Sequence, residues 1–116
     1  MAPADARIRV EVLGPLRVWG TVGRDVTPRG GLQRRLFALL VLRRGRVVSA
    51  DSAIEALWPS EVPRDPAAAL QNHLSRLRRD LPTGLIESVA AGYRLDPAGV
   101  ELDADQLGRL VNSDGA

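Results

Sequence analysis

The sequence predicts an α+β domain in which short strands lead, three helices follow and a hairpin closes the order. Three observations carry this expectation. Residues 7 to 13, Arg-Ile-Arg-Val-Glu-Val-Leu, alternate polar and apolar side chains, which is the period of a half-buried strand. Leu70, Leu74, Leu77 and Leu81 recur at spacings of four, three and four, forming one stripe of a helix. Clusters of glycine and proline at 14–15, 28–31, 59–66 and 82–84 separate the periodic segments. The 116 residues suffice for one compact domain, and 45% hydrophobic with 26% charged is a globular balance.

Ile8, Val10 and Val12 share one face of the first strand. Gly14-Pro15 turns the chain into a second strand, Leu16 to Trp19, and Gly20 to Gly23 turns it into a third, Arg24 to Thr27. Together these make an N-terminal three-stranded antiparallel sheet, ended by Pro28-Arg29-Gly30-Gly31. The first helix spans Leu32 to Leu42, with Leu32, Leu36, Phe37, Leu39 and Leu40 at helical spacing. Gly45 suits a left-handed cap after it. Arg46 to Val48 is an extended link, and Ser49 caps a second helix running through Leu57. Trp58 to Pro66 holds three prolines in nine residues and is a loop. Asp65 caps the third helix, with Pro66 in its first turn, and Ala67 to Leu81 forms its body. Leu85 to Val89 and Tyr93 to Leu95 then pair across the small Ala90-Ala91-Gly92 turn. Leu102, Leu107, Leu110 and Val111 mark the start of a last helix.

Several function classes are excluded. With no cysteine there is no disulfide scaffold, thiolate metal site or cysteine nucleophile. His73 is the single histidine, so neither a usual zinc site nor a two-histidine relay is expected. Gly30-Gly31 precedes a helix without the Gly-Lys-Ser/Thr of a nucleotide loop. Ser49, Asp51 and His73 assemble a triad in name only, because Ser49 and Asp51 already serve a helix start. The expectation is a non-enzyme without cofactor or metal. Met-Ala-Pro-Ala-Asp lacks the marks of a signal peptide, and the longest apolar run, Leu36 to Leu42, is too short for a bilayer. A soluble, intracellular protein is therefore expected.

The net charge of +2 hides a strong asymmetry. All sixteen basic residues are arginine, a bias that a GC-rich coding sequence also favours. Six of them fall between Arg29 and Arg46 with no acid, and four between Arg64 and Arg79 against Asp65 alone. From Asp96 onward the balance reverses, with five acids against Arg109. Two basic segments and an acidic tail fit a nucleic-acid binder, the bland reading being a solvated arginine-rich surface. Arg34 and Arg35 oppose the dipole of their helix, at a cost of a few tenths to about 1 kcal/mol. With the free amides there they make an anion site suited to a phosphate.

A helix-turn-helix followed by a hairpin wing is a winged helix, and the leading sheet makes it the OmpR-type winged helix. The chain also resembles the SARP/AfsR-type transcriptional regulators of actinobacteria, whose DNA-binding domain is OmpR/PhoB-like. The resemblance runs through V-L-G-P-L-R-V-W at Val12–Trp19, Q-R-R-L-F-A-L-L-V-L at Gln33–Leu42 and R-V-V-S-A-D-S-A-I-E-A-L-W at Arg46–Trp58. It continues through A-L-Q-N-H-L-S-R-L-R-R-D-L at Ala69–Leu81 and G-L-I-E-S with G-Y-R-L between Gly84 and Leu95. By this resemblance residues 7–96 form the DNA-binding domain. Residues 97–116 form an acidic tail resembling the first helix of a truncated bacterial transcriptional activation domain.

The third helix is the expected reader, since a helix fits the major groove. The resemblance puts Gln71, Asn72 and Arg76 at base-reading positions and His73, Ser75, Arg78 and Arg79 at phosphates. The basic residue that many relatives carry before the hairpin turn is replaced by Val89-Ala90-Ala91, which leaves Arg94 as the wing's cation. The loop from Trp58 to Pro66 corresponds to the polymerase-contacting loop of this fold, with Glu61, Arg64 and Asp65 at its tips. The expected partners are double-stranded promoter DNA, RNA polymerase holoenzyme and a second copy bound head to tail on direct repeats, with no membrane. The expected function is sequence-specific transcriptional activation. The competing readings are a degenerate winged helix that docks proteins, or a truncated regulator that occupies sites without activating.

Overall fold

The computed structural model describes residues 8–20 and 23–104, which divide into two compact units. One unit holds a three-stranded sheet. Strand β1 (Ile8–Glu11) lies at its centre, antiparallel to β2 (Arg17–Trp19) with Val10 opposite Val18. Ile8, Val10 and Val18 are fully buried while Arg9 and Arg17 are exposed, so the alternation in the sequence defines the buried face.

The third strand of this sheet is not the expected one. Within 24–27 only Asp25 bridges to Trp19. The Val26 N–H donates to the Val18 carbonyl at 2.9 Å and the Gly20 N–H to the Arg24 carbonyl at 2.6 Å. Thr27 Oγ1 accepts the Val18 N–H at 2.9 Å and donates to Asp25 Oδ1 at 2.6 Å, so side chains supplement a short backbone pairing. Pro28, without an N–H, follows at once. The sheet is instead completed by residues 100–102, a strand the sequence reading did not anticipate. Val100–Leu102 pairs parallel to β1, with Val10 opposite Leu102. The N–H groups of Val12 and Leu13 donate to the two carboxylate oxygens of Asp103, at 2.9 and 3.2 Å. Burial works against ionisation of Asp103, yet these and neighbouring backbone donors together hold its carboxyl below the ordinary value. The rest of the expected last helix, beyond Ala104, lies outside the described residues.

The second unit holds the helices and the wing. Helix α1 (Gly31–Leu42) buries Leu36, Phe37, Leu40 and Val41. Helix α2 (Ala50–Leu57) buries Ala53 and Leu57, and α3 (Pro66–Arg79) buries Leu70, Leu74 and Leu77. Each fully buried leucine contributes about 1.5–3 kcal/mol of transfer free energy, so the three leucines hold α3 in place more firmly than its polar face does. Both expected caps form: Ser49 Oγ accepts the Ser52 N–H at 3.0 Å, and Asp65 Oδ1 accepts the Ala68 N–H at 3.2 Å. After α1 the chain reverses through Arg44 and Gly45, at φ 52 and 86.

The wing is the hairpin of β3 (Ile86–Val89) and β4 (Gly92–Leu95), with Glu87 opposite Arg94. The final strand of the chain, Val100–Leu102, is β5. The link before α2 is more than a spacer. Val48 exchanges both backbone hydrogen bonds with Tyr93, at 2.7 and 2.9 Å, and so adds a rung to the wing. Gly92 makes the approach possible. At φ 149, a Cβ there would lie 2.1 Å from the Val48 carbonyl oxygen.

Candidate nucleic-acid interface

Helix α3 turns its leucines inward, and helical spacing then decides what faces out. Asn72, Arg76 and Arg79 follow at i, i+4 and i+7 on one exposed stripe, with Ser75 beside it. Asn72, Ser75 and Arg79 make no side-chain hydrogen bond or ion pair among the described residues. Their donors and acceptors are open to a partner. An exposed row of amide, hydroxyl and guanidinium groups on one helix is suited to base edges and phosphates in a major groove.

The flanking positions behave differently. Gln71 is exposed, but its Nε2 donates to the Tyr93 hydroxyl on β4. Seven residues on, Arg78 Nη2 donates to the Ile86 carbonyl at 3.2 Å and to Ser88 Oγ at 2.8 Å, both on β3. These two side chains dock the wing on α3. Arg94 sits opposite Glu87, with Nε 3.5 Å from Oε1. The wing tip, Val89 to Ala91, is exposed and apolar. The arginines nearest the wing are therefore engaged inside the fold.

His73 is half-buried. Its Nδ1 lies 3.0 Å from Gln33 Nε2, and its ring centroid is 5.8 Å from that of Trp58. Burial first, and then the Arg76 charge, lower its pKa from 6.5, which keeps the ring neutral at pH 7. A Gln33 amide donating to Nδ1 places the ring proton on Nε2. Gln33 is a neighbour of His73 that sequence reasoning passed over. It is 8% exposed, and it shares the buried face of α1 with Leu36, Phe37 and Leu40. A polar residue in that apolar stripe was the available signal.

The arginines at the start of α1 also have local partners. Arg34 Nη1 donates to the Arg29 carbonyl at 2.9 Å, leaving its exposed guanidinium charge over the first turn. Arg35 Nη1 donates to the Leu57 carbonyl at 3.2 Å, at the last residue of α2. That contact answers the dipole conflict at Arg35, because a cation unfavourable at one helix start is favourable at another helix end. In the loop before α3, Glu61 and Arg64 are exposed, and Asp65 serves as the α3 cap. Among the described residues no helix is long and apolar enough to cross a membrane.

Three packed helices, with a hairpin held against the third by Gln71 and Arg78, define a winged helix. The chain belongs to the family described as transcriptional regulatory protein, C terminal, whose profile matches residues 26–95. It is 41% identical over 86 residues to the regulatory protein AfsR of Streptomyces coelicolor, a match covering 74% of this chain and 9% of that protein. It is 33% identical over 118 residues to the transcriptional regulatory protein EmbR of Mycobacterium tuberculosis, covering 95% of this chain and 29% of that one. The solved structure of EmbR in complex with a low-affinity phosphopeptide superimposes with a TM-score of 0.69 at 32% identity, over 78% of this chain and 25% of EmbR. The DNA-binding domain of Bacillus subtilis CssR, 20% identical, shares the fold at a TM-score of 0.59, over 69% of this chain and 90% of its own. These relatives place the chain among the SARP-type, OmpR-like regulators. The chain spans about a tenth of AfsR and about three tenths of EmbR.

Proposed function

We propose that this protein binds promoter DNA sequence-specifically and activates transcription, with α3 in the major groove. The observation that carries the reading is the exposed stripe of Asn72, Arg76 and Arg79, backed by the buried leucines of the same helix. Asn72 and Arg76 read base edges, where asparagine suits adenine and arginine suits guanine, and Gln71 reads beside them. Arg79, Ser75 and Arg34 hold phosphates, and the neutral His73 adds a hydrogen bond rather than a charge. Arg35, Arg78 and Arg94, all engaged in the fold, act chiefly by holding α1, α3 and the wing in their places.

Two copies lie head to tail on direct repeats about one helical turn apart. The loop with Glu61, Arg64 and Asp65 then faces RNA polymerase holoenzyme. The protein acts in the cytoplasm on the nucleoid, as a regulator and not as an enzyme. Titration of a labelled duplex across a salt series tests the reading. Affinity should fall steeply with salt, and Arg79→Ala should reduce the slope by about one unit. A salt-independent association, or none, would favour a protein-docking role for the fold.

A further inference from the structure

We infer that Tyr93 is a positioning residue that makes Gln71 selective for adenine. The inference rests on the DNA-reading role of α3 proposed above. A glutamine on an exposed helix face has three rotatable bonds and no fixed direction, so it presents donor and acceptor to either kind of base edge. Gln71 is not in that position. Its Nε2 donates to the Tyr93 hydroxyl, which fixes the plane of the carboxamide before any DNA arrives.

Tyr93 is a firm anchor for this purpose. It is 9% exposed, and its backbone is bonded to Val48 on both sides, at 2.7 and 2.9 Å. The neighbouring Gly92 packs its Cα face directly on the Val48–Ser49 backbone. The hydroxyl therefore reports the position of the wing to the reading helix. The amide still has unused groups. One Nε2 hydrogen is taken by Tyr93, while the second hydrogen and Oε1 remain. Those two are what adenine requires, a donor for N7 and an acceptor for the N6 amino group. Guanine offers two acceptors at the same edge, and with one Nε2 hydrogen already given to Tyr93 the amide has a single donor left for them. A groove of about 290 Å³ is lined in part by Gln71, Tyr93 and the wing tip, so the amide borders open space.

The test uses the full chain and the site selected by the wild-type protein from random duplexes. Tyr93→Phe removes only the hydroxyl. The adenine preference at one base position should weaken about three- to tenfold, the range of one lost hydrogen bond. Thermal stability should fall by no more than the loss of one hydrogen bond, while salt slope and affinity for random duplex should be unchanged. In a Gln71→Ala background, whose exposed position tolerates truncation, the same substitution should have no further effect on preference. The inference is overturned if Tyr93→Phe weakens all sequences equally, if its effect is additive with Gln71→Ala, or if no position prefers adenine. A wild-type protein that selects no motif at all would instead remove the underlying DNA-reading proposal, so the two failures are distinguishable.

Discussion

At the scale of single residues, His73 shows how packing sets chemistry. It lies on α3 beside the exposed stripe, yet its ring is held by Gln33 and Trp58 and stays neutral. The unfolded chain takes up a proton near 6.5, and the folded chain does so only at lower pH. Stability is therefore full above about that value and declines as pH falls through the folded pKa. Urea midpoints at pH 7.5 and 5.5 should show this loss in the wild type. A His73→Gln variant should show a smaller difference, and an equal difference would remove the histidine from the account. Arg76 has the opposite character, exposed and directed outward. Replacing it with Ala should cost about 1–3 kcal/mol at one base position and little elsewhere, as measured by competition between single-substituted sites.

At the scale of elements, the wing depends on two contacts to its neighbours. Gly92 admits no side chain against the Val48 carbonyl, so Gly92→Ala should destabilise the protein by about 2–4 kcal/mol in urea denaturation. Arg78→Ala should cost about 1–2 kcal/mol by freeing the Ile86 carbonyl and Ser88 hydroxyl from α3. It should leave the salt slope of DNA binding almost unchanged, whereas a full unit of change would return Arg78 to the phosphates. These elements were unequally legible in the sequence. The three helices and both caps follow from local signals, the leucine spacing with Ser49 and Asp65, and local signals are what sequence periodicity records. The sheet partner Val100–Leu102, the Val48–Tyr93 rung and the Gln71–Tyr93 contact join residues far apart in the chain, and no local pattern encodes such pairing. The residue types of the exposed α3 stripe were legible too. Which arginines turn back into the fold was not, because Arg35 and Arg78 look like any surface arginine until Leu57 and Ser88 are brought beside them.

At the scale of the whole molecule, the charge pattern and the fold point to the same partner. Sixteen arginines and no lysine give a net charge of only +2, yet the basic stretches fall on α1, the loop after it and α3. Arginine suits the task because its planar fork binds phosphate or guanine through two parallel hydrogen bonds. The wing tip of Val89-Ala90-Ala91 adds no charge, so the proposed DNA contact draws its charge from α3 and the start of α1. The most direct test of the central claim is selection from a pool of random duplexes at two salt concentrations, followed by sequencing of what the protein retains. The account predicts a direct repeat with half-sites about 10–10.5 base pairs apart, retained more weakly at the higher salt. Retention without any motif, or no retention at the lower salt, would contradict it.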